Sequence, residues 1–314
     1  MNDEELFVLL LEASCFSQEE SIYIYENFKN FRGSMAEFVE QKLSNKCQTP
    51  FLFSTLKKFA TAYDDLSIRK SIESVADRNC NSIKGDLHIH TNWSDGNDSV
   101  EEIVETAKTM GYQYIAITDH SLVAKGKVEM NEEKFMRQIK KINDVQKFYD
   151  IKIIKGIEID INIDNSLDYS DEIIKNADLV IGSVHFDYGY GEAKAFKLLE
   201  ELLKNEWIDI IAHPLNEIGK ELFLGNYEKI LYLTEQNHKI LEINLSPNRI
   251  EEDDFLVKIF NDSNIMFSFG TDSHTKKQMK FMNFSNLWNI SRDRILNYYD
   301  EPLKILNRRR QMIL

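Results

Sequence analysis

Short apolar runs alternate with longer amphipathic stretches along most of the chain, and the change of period between them marks the elements. From residue 85 onward the runs are Leu87 to Ile89, Tyr114 to Thr118, Ile151 to Ile157, Leu179 to Ser183, Ile208 to Ala212, Ile240 to Asn244 and Ile265 to Gly270. They are rich in Ile and Val and bounded by polar or Gly positions. Runs of this kind suit parallel strands buried on both faces. Between them, apolar residues recur at helical spacing over Val100 to Met110, Glu132 to Phe148, Ala193 to Lys204, Tyr227 to Gln236 and Asp253 to Asn261. Strand–helix alternation argues for an α/β fold with a parallel sheet. Seven strands rather than eight predict a (β/α)7 barrel.

The first 80 residues follow a different pattern. Leu6, Leu9, Leu10 and Leu11 make an apolar stripe, Ser17-Gln18-Glu19-Glu20 resembles a helix start, and Ile22, Tyr25 and Phe28 continue the period. Met35 to Leu43 and Phe51 to Tyr63 repeat it, with Thr49-Pro50 as a break. The organisation expected is a small all-helical region over 1–80, a linker near 77–84, a barrel over 84–288 and a basic helical tail over 289–314. The helical region is expected to cap the barrel or to bind a protein partner.

Composition narrows the classes. The 314 residues are 43% hydrophobic and 29% charged, as in an ordinary globular protein. No apolar run approaches the ~20 residues of a membrane span, and the acidic start Met1-Asn2-Asp3-Glu4-Glu5 lacks the basic onset of a secretory signal. Cys15, Cys47 and Cys80 are odd in number and form no C-x-x-C, which suits reduced thiols. These features together predict a cytoplasmic protein with no membrane contact. A net charge of −14 argues against an extended nucleic-acid interface.

The candidate chemistry appears when donors are laid on the strand map. His88 and His90 are two apart on the first strand, so their imidazoles project to one side, and Asp95 follows in the polar turn Asn92 to Asp98. His120 follows the second strand, Glu158 closes the third, His185 follows the fourth, His213 the fifth, and Asp272 and His274 the seventh. His238 alone among the histidines lies off the pattern and reads as a surface residue. In parallel barrels the C-terminal strand ends share one mouth, so these nine donors are expected to converge there. Imidazoles and carboxylates without thiolate suit Mn2+, Zn2+ or Fe2+. Asp119 either orients an imidazole or caps its loop. After the sixth strand, Arg249 can present a planar fork to a phosphate, and Lys276 can make the mouth locally positive. The alternatives are a surface Arg249 paired with Glu251 or Glu252, and a solvated lysine run.

The HxH of His88 and His90, the TDH ending at His120, Glu158, the VIGSVHF stretch at His185, the HP at His213 and the DSH of Asp272 to His274 together resemble the PHP superfamily, named for its polymerase and histidinol phosphatase members. The likeness covers about residues 84 to 285. Gly85 to Ser121 and Glu242 to Arg249 are most similar to the PHP domain of bacterial family X DNA polymerases, and VIGSVHF is similar to histidinol phosphatases. The resemblance implies a distorted (β/α)7 barrel with two or three divalent ions. His88, His90, Glu158 and Asp272 would hold one. Glu158 would bridge to a second at His185 and His213, and Asp95, His120 and His274 would hold a third. It implies hydrolysis of a phosphate ester by a metal-activated hydroxide, with no catalytic residue separate from the ligands. The substrate is expected to be a phosphorylated small molecule. The alternatives are a nucleic-acid 3' end, attacked as a 3'-5' exonuclease or 3'-end phosphoesterase would, and a partner-binding regulatory module with a vestigial site.

Overall fold

The computed structural model describes residues 18–31, 33–43, 60, 83–122, 130–185, 191–215, 218–246 and 249–313. The chain divides into two compact units. One comprises residues 1–80 with 246–251 and 283–289, the other residues 81–245, 252–282 and 290–314.

In the first unit the described residues form helix α1 (Gln18–Lys29) and helix α2 (Met35–Phe38), which runs into a π-helical turn over Val39–Leu43. Ser34 starts α2 with a capping box: its hydroxyl accepts from the Glu37 N–H while the Glu37 carboxylate accepts from the Ser34 N–H. Phe38 packs edge-on against Phe28 and Phe31 at 5.4 and 5.3 Å between ring centres. The helical stretch expected over Phe51 to Tyr63 lies outside the described residues except for Ala60, which is helical and buried.

The second unit is the barrel. Its strands are β1 (Gly85–Asp86), β2 (Tyr114–Ile117), β3 (Lys152–Asp160), β4 (Leu179–Ser183), β5 (Ile210–Ile211), β6 (Ile240–Asn244) and β7 (Met266–Gly270). All neighbours are parallel and the spatial order is the sequence order. Beyond β1 and β7 the two edges meet. The His90 N–H donates to the Ser273 carbonyl at 2.8 Å and the Asp272 N–H to the His88 carbonyl at 2.9 Å. A single edge pairing of this sort removes the exposed edges that an open sheet would leave. Strands β2 to β7 fall on predicted runs. The first run differs most: β1 precedes Leu87–Ile89, of which Ile89 makes only an isolated bridge to Ser273. Strand β3 continues through Asp160, so Glu158 lies inside the strand rather than at its close.

Helices α3 (Val100–Thr109), α4 (Glu132–Gln146), α5 (Asp171–Ile174), α6 (Glu192–Lys204), α7 (Lys220–Gly225), α8 (Tyr227–Gln236) and α9 (Ile250–Ile259) fill the crossovers. Their starts follow the sequence: Ser99 and Glu102 form a capping box on α3, and the Asn131 side chain accepts from the Lys134 N–H on α4. Their buried faces have helical spacing, as in Val100, Ile103, Val104 and Ala107. The short α5 and α7 were not expected, since four and six residues carry too little period to detect. No described helix is long and apolar enough to cross a membrane.

Residues two apart share a face in a strand, and here one face changes character along its length. In β2 and its continuation it runs Tyr114, Ala116, Thr118, His120; in β3, Ile154, Gly156, Glu158, Asp160; in β6, Ile240, Glu242, Asn244. Tyr114, Ile154, Leu179, Ile210, Ile240 and Met266 form one buried cluster at the strand beginnings. Leu296 and Leu306 of the C-terminal segment belong to the same cluster, with Tyr299, Leu303 and Ile305 packed on it. The segment after residue 289 is therefore the plug of the barrel floor as well as a basic tail. It ends in helix α10 (Pro302–Ile313). Arg294 is equally structural, donating from its guanidinium to the carbonyls of Phe260, Asn261 and Ile265. With the floor sealed by apolar side chains, the polar layer at the opposite end is the barrel's open chemistry.

Candidate metal centre

Glu158 is the middle of that layer. Its side chain is fully buried, and five imidazoles from four strand ends surround it, His88 and His90 both following β1. Oε1 lies 3.0 Å from His213 Nε2 and 3.7 Å from His185 Nε2. Oε2 lies 2.9 Å from His120 Nδ1, 3.3 Å from His88 Nε2 and 3.4 Å from His90 Nε2. Asp272 Oδ1 adds a second carboxylate 3.1 Å from His90 Nε2. At the far side Asp95 Oδ2 sits 2.8 Å from His274 Nε2 and 3.8 Å from His120 Nε2. All nine donors read from the strand ends thus meet at one mouth. Three overlapping groups have ligand atoms within 4.8 Å of one another: His88, His90 and Glu158; His120, Glu158 and His185; and His90, Asp95, His120 and His274.

The donor set fits divalent cations. His88 Nε2 and His90 Nε2 face each other at 3.1 Å, a spacing natural for two ligands of one ion bonded at about 2.0–2.1 Å. Glu158 Oε2 is buried among three ring nitrogens at 2.9 to 3.4 Å, none of them aligned as a hydrogen-bond donor to it, although buried polar atoms are otherwise almost always paired. At His90, Glu158 and Asp272 the electrostatics favour the form a metal needs, and at His88 they favour a proton that the metal would displace. At His90, burial first and then the nearby His120 and His274 push the imidazole down to about 3, so it is neutral. Burial opposes charge on Glu158, but His120 and His88 outweigh it and hold the carboxyl well below its usual range. The same balance holds for Asp272, with His88 and His90 as the outweighing partners. At His88, burial opposes a charged ring, yet Glu242, Glu158 and Asp272 raise its pKa well above the ordinary imidazole value.

The supporting residues explain how the ligands are held. Asp119 caps the loop. It accepts from the Thr91 N–H at 2.7 Å, the Thr91 hydroxyl at 2.6 Å, the Ser94 N–H at 3.1 Å and the Ser94 hydroxyl at 2.5 Å, and also from the Gln138 amide of α4. It thereby fixes the turn that delivers Asp95. His213 and Asp272 have φ of +28° and +52°, left-handed backbone that costs a non-glycine residue roughly 1–3 kcal/mol. Strain of that size persists only where surrounding bonds over-determine it.

Sequence reasoning missed four of these supports. Glu242 Oε1 accepts from His88 Nδ1 at 2.6 Å. Asp160 Oδ1 lies 2.8 Å from His185 Nδ1 and accepts from the Ser183 hydroxyl at 2.9 Å. Asp86 accepts from the Thr271 hydroxyl and N–H, and burial pushes its carboxyl up to about 7. Asn244 donates to Glu242 and Asp272. The available signal was a carboxylate inside an apolar strand run, as in Ile-Leu-Glu-Ile-Asn and Ile-Glu-Ile-Asp. Lys276 pairs with Glu102 at 2.9 Å and Asp98 at 3.4 Å, with its side chain 41% exposed. Arg249 lies in the segment grouped with the first unit, half-buried, its N–H donating to the Ser246 carbonyl at 2.9 Å. His238 is half-buried rather than exposed and closes α8 with φ +50°, its N–H donating to the Glu235 carbonyl.

Comparison with known proteins places this arrangement. The family model described as "PHP domain" matches residues 86–246. A DNA polymerase/3'-5' exonuclease of Bacillus subtilis is 36% identical over 204 residues, covering 64% of this chain and 36% of the polymerase. The chain thus spans about a third of that relative's length. A probable phosphatase of Thermoanaerobacter sp. is 28% identical over 201 residues, covering 60% of this chain and 78% of the phosphatase. Among solved structures, a Lactococcus lactis histidinol phosphate phosphatase, crystallised with zinc, L-histidinol and phosphate, matches with a TM-score of 0.50 at 21% identity. That match covers 65% of this chain and 92% of the phosphatase, and it shows the fold.

Proposed function

This chain belongs to the PHP domain family, and from that premise and the geometry above we propose that it is a metal-dependent hydrolase of phosphate esters. The observation that carries the reading is Glu158, a buried carboxylate ringed by five imidazoles from four strands. Two or three divalent ions are the proposed cofactors, Mn2+, Zn2+ or Fe2+, held by the three donor groups that share Glu158, His90 and His120. When bound, such ions lower the pKa of a water and neutralise the non-bridging oxygens of a phosphate.

The chain's own residues supply position and charge. Glu158, Asp272 and Asp95 are ionised at neutral pH, since their surroundings lower all three pKa values. His185 and His274 are the most open of the donors, 21% and 29% exposed, while the His88 and His90 rings are sealed. A substrate therefore meets the cluster from the His185–His274 edge. Lys276 is the proposed phosphate contact. Lys276 would exchange its pairing with Asp98 and Glu102 for the phosphate. The proposed compartment is the cytoplasm, and the N-terminal helices are proposed to bind a protein partner.

A small phosphomonoester is the proposed substrate, supported by the phosphatase-named relatives. A second reading, removal of nucleotides or phosphate from a DNA 3' end, is favoured by the 36% identity to the polymerase/exonuclease. Turnover of p-nitrophenyl phosphate against a 3'-labelled single-stranded oligonucleotide separates the two. A Mn2+- or Zn2+-loaded chain inert on both would refute the hydrolase reading.

A further inference from the structure

Strand β6 contributes none of the nine donors, yet its two inward polar residues touch three of them. Glu242 is buried, with Oε1 2.6 Å from His88 Nδ1. Its Oε2 accepts from the His213 N–H at 2.9 Å and from the Asn244 side chain at 3.1 Å. Asn244 Nδ2 reaches on to Asp272 Oδ2 at 3.2 Å. His213 and Asp272, both anchored here, are the two donors with left-handed backbone. We propose that Glu242 is the positioning residue of the metal centre: it fixes His88 with Nδ1–H donating outward, and it pins the backbone of His213.

The physical logic is specific. A neutral imidazole carries one N–H, and a carboxylate accepting at Nδ1 leaves Nε2 as the lone-pair nitrogen. His88 Nε2 is the atom that faces His90 Nε2 and Glu158. Outer partners of this kind fix the ring, set the tautomer and raise ligand basicity. Glu242 does so for one donor through its side chain and for another through its backbone, so one residue registers β1 against β5. Gly270 protects the arrangement: a Cβ there would overlap Glu242 Oε1 and stand 2.6 Å from His88 Cβ.

This inference deepens the metal-centre reading on which it rests. The test is Zn2+ titration calorimetry on the full chain, with histidine side-chain 15N NMR of the Zn2+-loaded protein. Wild type should show a low-field His88 Nδ1–H proton. Glu242→Ala should lose that signal and weaken Zn2+ binding about 10- to 100-fold. Glu242→Gln retains an acceptor for Nδ1–H and should recover the signal and part of the affinity, which guards against a fold defect in the Ala variant. Unchanged affinity and an unchanged Nδ1–H signal in Glu242→Ala would overturn the role. Loss of one whole ion from the stoichiometry would also overturn it, making Glu242 a ligand. If wild type binds no Zn2+, Mn2+ or Fe2+, both this inference and the metal-centre reading fail. A wild type that binds metal but hydrolyses no phosphoester would sink only the proposed reaction.

Discussion

A single buried carboxylate among imidazoles is stable only if something positive joins it, and this governs the residue-scale behaviour of the centre. Glu158→Ala or His88→Ala should remove metal and activity while the barrel stays folded, as seen by metal analysis and circular dichroism. The control is His238→Asn, at a helix end where Asn tolerates left-handed backbone; it should change neither. Protons compete with cations for the same nitrogens. The carboxylates around His88 raise its pKa above the usual imidazole value, so metal binding must displace a proton near neutral pH. Zn2+ affinity should therefore keep rising as pH climbs past the ordinary imidazole value of 6.5, with proton release detected by calorimetry in two buffers of different ionisation heat. Glu102, on the surface, gives a separate acid signature. The Ser99 N–H, then Lys276 and the Ser99 hydroxyl, lower its pKa from 4.5 to about 2. Because the folded value lies below the unfolded one, its contribution to stability is complete above about pH 4.5 and is lost as pH falls through about 2. A carboxylate NMR titration should show that low midpoint, moving upward in Ser99→Ala.

Strands set where each donor stands, and helices set how firmly. In β3, Ile154, Glu158 and Asp160 share one face by the period of two, so the same strand supplies floor, ligand and the support of His185. In β7, Gly270 leaves the room that Glu242 and His88 occupy. Gly270→Ala should cost several-fold in Zn2+ affinity and lower the unfolding midpoint, because the added methyl meets atoms packed on rigid strands. Helix α4 extends the logic outward through Gln138, which reaches Asp119 and so the loop of Asp95.

Barrel closure is the property of the whole second unit. Asn297, fully buried, donates to the Gly85 and Phe269 carbonyls at 2.9 Å each and accepts from the Phe269 N–H at 2.7 Å. It clips β1 to β7, the two end strands of the sheet order. Asn297→Ala would leave three buried backbone groups unpaired and should destabilise by about 2–5 kcal/mol in urea unfolding. Leu306→Ala, at the floor plug, should cost a similar ~2–5 kcal/mol through its cavity. Neither variant should alter the ligand set, so loss of metal in either should follow unfolding and not precede it.

The sequence by itself determined the seven strands, the helices long enough to show a period, and the nine donors at strand ends. Those signals are local: burial on both faces writes Ile and Val runs, and metal ligation requires imidazole and carboxylate where strands stop. Only the tertiary structure decided which ligand atoms face one another, that Asp119 holds a loop rather than an imidazole, and that Lys276 pairs with two acids. It also revealed Glu242, Asp160 and Asn297, whose partners lie 154, 25 and up to 212 positions away. A hydrogen bond between such distant residues leaves no periodic trace along the chain; it exists only once the sheet has closed.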